Sequence, residues 1–257
     1  MTAGDPGTAG GSLTRDQVLD ELEFLVTVEH ALVVEYLSVR CALGHDLDAA
    51  EGGATTKQAR AAADAASILA QGEMFHLRGI NLALVEAGRS AQLGRADSIS
   101  SDSIPATALG PPSLAQLQGL LAREQAIAAA VDERYTKLSP AVTSAPVFDG
   151  ALLTELRSGI VDHGPTHVAA LASLGESLAT LPPAGYLRAT RRDAADDFEQ
   201  RLLEISDGNY ALTLAALGEQ FGQQAGFSPL AVSAMTVLGN VSRVLVQRGL
   251  LPPFTLS

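Results

Sequence analysis

Gly72–Gly88 reads GEMFHLRGINLALVEAG. Glu73 and His76 stand one helical turn apart here, inside a stripe in which Ala62, Ala66, Leu69, Ile80 and Leu84 recur at helical spacing. A Glu-x-x-His pair alone is a weak signal. It gains force because three other segments break their own apolar stripe in the same way. Upstream, Leu22, Leu25, Val26, Leu32, Val33 and Tyr36 share a face with Glu29. Downstream, Leu114, Leu117, Leu121, Ala128, Val131 and Tyr135 share one with Glu124. The last stripe, Leu153, Leu156, Ile160, Leu171 and Leu174, is interrupted by His163 and His167.

Ala and Leu dominate, and Gly and Pro cluster between long periodic segments, which is an all-α pattern. Thr14 with Gln17 forms a capping-box pattern, and the apolar period then runs to Gly44. Thr55 with Gln58 opens a second helix ending at Gly88. Ser113 with Gln116 opens a third, expected to stop near Lys137, before Pro140. A fourth is expected from about Gly150 to Thr180, ahead of Pro182 and Pro183. The long Ser/Gly/Pro-rich stretch 89–112 suits a crossover between two helical hairpins, and the intervals Glu29 to Glu73 and Glu124 to His167 are nearly equal. This gives a four-helix bundle over 14–181, after a disordered start at 1–13. Residues 182–257 are expected to add two or three helices packed on the bundle within the same domain. One of these, about 193–224, carries turn chemistry at Ser206-Asp207-Gly208-Asn209; another starts at Ser228-Pro229 and ends at Gly249.

The chain has 257 residues, 47% of them hydrophobic and 18% charged, a globular composition. Its net charge is −12 and only 4% of residues are aromatic, so neither a phosphate-tracking stripe nor a base-stacking platform is available. Nucleic acid is excluded as the main partner. A single cysteine, Cys41, makes no internal disulfide. No cationic and apolar leader and no run of 18 uncharged apolar residues is visible, so the expectation is a soluble, cytoplasmic protein without a membrane partner.

Three carboxylates in one core need compensating charge. No Lys or Arg shares the inward phase; Arg123 is one residue away from Glu124. A divalent metal would supply the charge. Oxygen and imidazole donors suit iron or manganese and also accept zinc. The candidate ligands are Glu29, Glu73, His76, Glu124, His163 and His167. The competing reading is a metal-free bundle in which hydrogen bonds and water satisfy these groups.

At these residues the chain resembles the ferritin-like superfamily over about 14–180. More narrowly, it is similar to the ferritin-like domain of the iminophenyl-pyruvate dimer synthase group. The narrower likeness rests on Leu25–Leu37 (LVTVEHALVVEYL), Gly72–Gly88 and Ala234–Pro252 (AMTVLGNVSRVLVQRGLLP). What the resemblance implies is a four-helix bundle holding one or two metal ions, often iron, with Glu29, Glu73, His76, Glu124 and His167 as ligands. The implied activity is that of a metal-dependent oxidase or oxygenase, using dioxygen on a small organic substrate in bacterial specialised metabolism. The alternatives are iron sequestration and a metal-free bundle with a non-redox catalytic or binding role. A homodimer is compatible with such a fold.

The sequence departs from the superfamily at Val161-Asp-His-Gly-Pro-Thr-His167, where Gly164 stands in place of the usual Glu and Pro165 follows. His163 either replaces the missing ligand, leaves a one-ion site beside it, or bonds the carbonyl freed at a proline kink. Tyr36, on the Glu29 face, and Asp162 are candidates for groups supporting the ligands. His30 is turned about 100° from Glu29 and is expected to make an interhelical contact. Met74 and Phe75 are expected to pack.

Overall fold

Thr14 starts the first helix as expected. Its hydroxyl accepts from the Gln17 amide at 3.3 Å, and the Gln17 side chain accepts from the Thr14 amide at 2.9 Å, completing the capping box. The computed structural model describes residues 13–44, 54–109, 120–144, 165–180, 187–223 and 229–255. Within them lie α1 (Arg15–Ala42), α2 (Ala54–Glu86), β1 (Ser98–Ile99), β2 (Thr107–Ala108), α3 (Leu120–Ser144), α4 (Pro165–Ala179), α5 (Asp197–Gln223) and α6 (Pro229–Gln247). The fold is all-α apart from the small antiparallel hairpin, which pairs Ser98 with Ala108 and Ile99 with Thr107.

The stripes meet in one core. Leu22, Leu25, Val26, Leu32 and Tyr36 of α1 pack with Ala62, Ala66, Leu69, Ile80 and Leu84 of α2, joined by Val131 and Tyr135 of α3 and Leu171 and Leu174 of α4. Burying each Leu contributes roughly 1.5–3 kcal/mol. Gly88, at φ 84°, ends α2 in a left-handed conformation. There the Arg89 amide donates to the Leu84 carbonyl at 2.8 Å and the Gly88 amide to Val85 at 3.0 Å.

The crossover 89–109 is tied to the bundle by named contacts. Asn81 is fully buried. Its side-chain oxygen accepts from the Gln92 amide at 2.6 Å, and its nitrogen donates to the Gln92 carbonyl at 3.1 Å. The Ala96 amide donates to the Thr27 carbonyl at 3.0 Å. Farther on, Glu133 accepts from Ser101 and Ser103, and Arg134 donates to the Ser100 carbonyl at 2.6 Å.

Three expectations about where helices start, stop or break change. Helix α2 begins at Ala54, so Thr55 lies inside it and does not cap it. Helix α3 runs through Pro140 to Ser144. A proline there forfeits the bond to the carbonyl of Thr136, an exposed residue, and crowds that carbonyl. Helix α5 is unbroken at residues 206–209, where the side chains bond in ways that a continuous helix allows. Asn209 donates to the Ile205 carbonyl at 2.8 Å, and Asp207 accepts from the Thr255 amide and hydroxyl at 3.0 and 2.5 Å. Helix α6 is long and apolar enough by length and composition to cross a membrane (mean hydropathy 1.4), although it carries Arg243 and so is not an uncharged run. Its Ala231, Ala234, Leu238, Ser242, Leu245 and Val246 are buried in the protein. The expected start at 1–13 (save Leu13), the Ser113–Gln116 cap, the first half of the fourth helix and the Pro182-Pro183 pair lie outside the described residues.

Helices α5 and α6 cover the outer face of α1 through a cluster of Val34, Tyr210, Leu238 and Phe254. A second cluster gathers Cys41, Ala189 and Val246. The segment before α5 is laced to both ends: Arg188 donates from its amide to the Ala42 carbonyl at 2.8 Å, and Leu251 to the Arg191 carbonyl at 2.8 Å.

Candidate metal centre

Glu29 sits midway along α1, Glu73 and His76 share one face of α2, and Glu124 lies on α3. All three glutamates are buried, as their phase with the leucine stripes requires. Donor atoms of Glu29, Glu73 and His76 lie within 4.8 Å of one another. The His76 Nδ1 is 2.9 Å from Glu73 Oε2 and 3.5 Å from Glu29 Oε2. Burial alone would depress the His76 imidazole. The hydrogen bonds and charges of Glu29 and Glu73 outweigh it and raise the group to about 10.

Two buried tyrosines reach across between α1 and α3. The Tyr135 hydroxyl donates to Glu29 Oε1 and the Tyr36 hydroxyl to Glu124 Oε2, each at 2.6 Å. Each helix thus brings one glutamate and one tyrosine and receives the complement. The order of the pairs, Glu29 with Tyr135 and Tyr36 with Glu124, makes the two helices antiparallel. Burial raises both phenols well above their ordinary value, and the neighbouring carboxylates add to it: Glu124 and then Glu73 at Tyr36, Glu29 at Tyr135. Both stay protonated donors throughout the neutral range. Glu124 stands outside the Glu29–Glu73–His76 trio, and Tyr36, bonded to Glu124, also feels the charge of Glu73.

The donor chemistry fits a divalent cation. Two carboxylates and an imidazole converge in the buried core, and Glu124 Oε1, on the facing helix, is buried with no hydrogen-bond partner among the described residues. Of the remaining candidates, His163 and Asp162 lie outside the described residues. His167 is in α4, but its side chain is not among those described.

A fourth buried acid went unread in the sequence. Glu35 is fully buried and is held by Arg123, whose guanidinium contacts its two oxygens at 2.7 and 2.8 Å. The expectation that no cation serves this core is therefore corrected: Arg123 does, but for Glu35. The signal was present as two out-of-phase residues of opposite charge, one residue before Tyr36 and one before Glu124. Met74 and Phe75 are also corrected. They are 36% and 69% exposed, because turning Glu73 and His76 inward turns the two residues between them out.

His30 faces away from the centre. Its Nδ1 lies 2.9 and 3.1 Å from the Leu93 and Gly94 carbonyls, so that nitrogen carries the proton, and Nε2 accepts from the Tyr210 hydroxyl of α5. Burial is the main cause that lowers His30 to about 4. It is a neutral contact joining α1, the crossover and α5.

No family model matches the chain, and no curated protein does. Among solved structures, it is similar to one described as a ferritin-like protein from Caulobacter vibrioides. That likeness has a TM-score of 0.66 at 13% identity and covers 95% of this chain and 99% of the other. So low an identity carries the fold and not the activity. The architecture of this chain is ferritin-like, an all-α bundle with a long crossover and further helices after it.

Proposed function

We propose that the protein is a metal-dependent oxidase or oxygenase that binds iron through Glu29, Glu73, His76 and Glu124 and acts on a small organic substrate. The observation that carries this reading is the convergence of donor atoms from Glu29, Glu73 and His76 within 4.8 Å inside a buried core. His163 and His167 complete the proposed set. A bound iron would supply dioxygen binding and redox capacity, which no side chain provides. The chain's own groups do the rest. Tyr135 and Tyr36 each hold one oxygen of a glutamate, which orients the other oxygen. Their high pKa keeps a proton at each hydroxyl, and the surrounding Leu and Ala residues exclude water. A role in bacterial specialised metabolism rests only on the narrower resemblance, a cytoplasmic location on the sequence reading alone, and a homodimer on what such a fold allows.

Elemental analysis of protein expressed with iron available, never exposed to chelator, tests the reading. One or two ions per chain are expected. Glu73→Ala is expected to lose the metal and any dioxygen consumption with it. Full activity in a metal-free preparation would falsify the proposal.

One observation favours a second reading. Protonated His76 already neutralises part of the charge on Glu29 and Glu73, and both tyrosines donate into the same cluster. A metal-free bundle of non-redox function is internally satisfied to that extent. Metal content near zero after anaerobic iron loading would select it.

A further inference from the structure

We propose that Arg123 is a positioning residue of the metal centre: through its pair with Glu35 it fixes the rotation of α3 that presents Glu124. This rests on the metal-binding reading above. The Glu35 side chain is fully buried and that of Arg123 is 15% exposed. Besides the two contacts to Glu35, the guanidinium donates to the Ala108 carbonyl of β2, from Nε at 3.1 Å and from a terminal nitrogen at 2.9 Å.

Stability alone does not account for such a pair. Removing two ions from water is expensive, and apolar side chains of the same volume often hold a core as well or better. What the planar fork adds is direction, because it receives a carboxylate in a narrow range of orientations. Glu35 immediately precedes Tyr36, and Arg123 immediately precedes Glu124. Two consecutive rungs therefore join α1 to α3: Glu35 with Arg123, and Tyr36 with Glu124. Successive helical residues are turned by about 100°. The Tyr36–Glu124 and Tyr135–Glu29 bonds lie on one face of each helix, whereas the Glu35–Arg123 pair holds the adjoining face and so resists rotation of α3 about its axis where those two bonds do not. Where Glu124 Oε1 points is thereby set, and this is the oxygen without a partner among the described residues. The contact to Ala108 fastens the crossover to the same fork.

The test is a Co(II) titration of the full chain, followed by visible absorption, on wild type, R123K and the double variant E35M/R123M. Thermal unfolding of the metal-free forms is run alongside. The double variant leaves no buried charge uncompensated and is expected to unfold at or above the wild-type temperature. It should nevertheless bind cobalt about 10–100-fold more weakly, the usual cost of losing support behind a ligand, with shifted absorption bands. R123K keeps the charge without the fork and should fall between the two. A folded double variant with wild-type affinity and spectrum overturns the proposal while leaving metal binding intact. If the double variant does not fold, R123K decides, and unchanged affinity and bands in it overturn the proposal equally. A wild-type chain that takes up no cobalt removes the metal-binding reading, and this proposal with it.

Discussion

With its pKa held at about 10, the His76 imidazole carries a proton at neutral pH, set between Glu73 and Glu29. A metal needs the neutral ring, so uptake expels that proton. Affinity should therefore rise about tenfold per pH unit below pH 10. Binding at pH 8 should release at least one proton, readable by calorimetry in buffers of different ionisation enthalpy. Heats that do not depend on the buffer would count against His76 as a ligand. In the metal-free chain the raised pKa has its own sign: the stability it contributes is complete below about 6.5 and is lost as pH rises through about 10. Glu29, Glu73, His76 and Glu124 were all legible in the sequence, because each falls in phase with leucines that have to be buried. Glu35 was not. It lies about 100° off that stripe, where a glutamate is ordinarily solvated. Only knowledge of which helices touch reveals Arg123 as its partner. His163 lies outside the described residues and only the backbone of His167 is described, so their part in the site rests on the sequence.

At the scale of elements, the helix ends closed by a left-handed glycine were legible. Gly249, at φ 78°, closes α6 with the Leu250 amide on the Leu245 carbonyl at 2.9 Å and its own amide on Val246 at 3.0 Å. An alanine there would strain the left-handed backbone, and its Cβ would meet the Arg188 carbonyl at 3.6 Å, an ordinary contact. Gly249→Ala is thus expected to cost about 1–2 kcal/mol through backbone conformation, measured by urea unfolding; an unchanged midpoint would show that the motif contributes little. The Ser-Asp-Gly-Asn run of α5 misleads for a physical reason. Its residues favour turns when their side chains bond to their own backbone. Here Asp207 instead bonds Thr255, far along the chain, and Ser206 is buried, so tertiary contacts override local preference. Pro140 is a similar case, where one lost hydrogen bond weighs less than the packing of Tyr135 and Leu138 just before it.

At the scale of the molecule, His30 links three parts through one ring. Folding lowers it to about 4, so below pH 6.5 the unfolded chain takes up a proton that the native chain refuses. Its contribution to stability is present above pH 6.5 and is lost as pH falls toward 4. Between pH 7 and pH 5 the loss should be about 2 kcal/mol. Denaturant unfolding at the two pH values, in wild type and His30→Gln, isolates this share; the same pH dependence in both would contradict it. The bundle and its crossover were foreseeable from stripe count and spacing. Tail helices packed on the bundle and an interhelical His30 were also read, but not the face of α1 that receives them, because the His30–Tyr210 contact joins residues 180 apart. The fastening of residues 89–109 by Asn81, Thr27, His30 and Arg134 has a kinetic consequence. A connection held at so many points resists swinging as a gate, so motion that exposes the buried acids is expected to start at less tightly held parts of the chain.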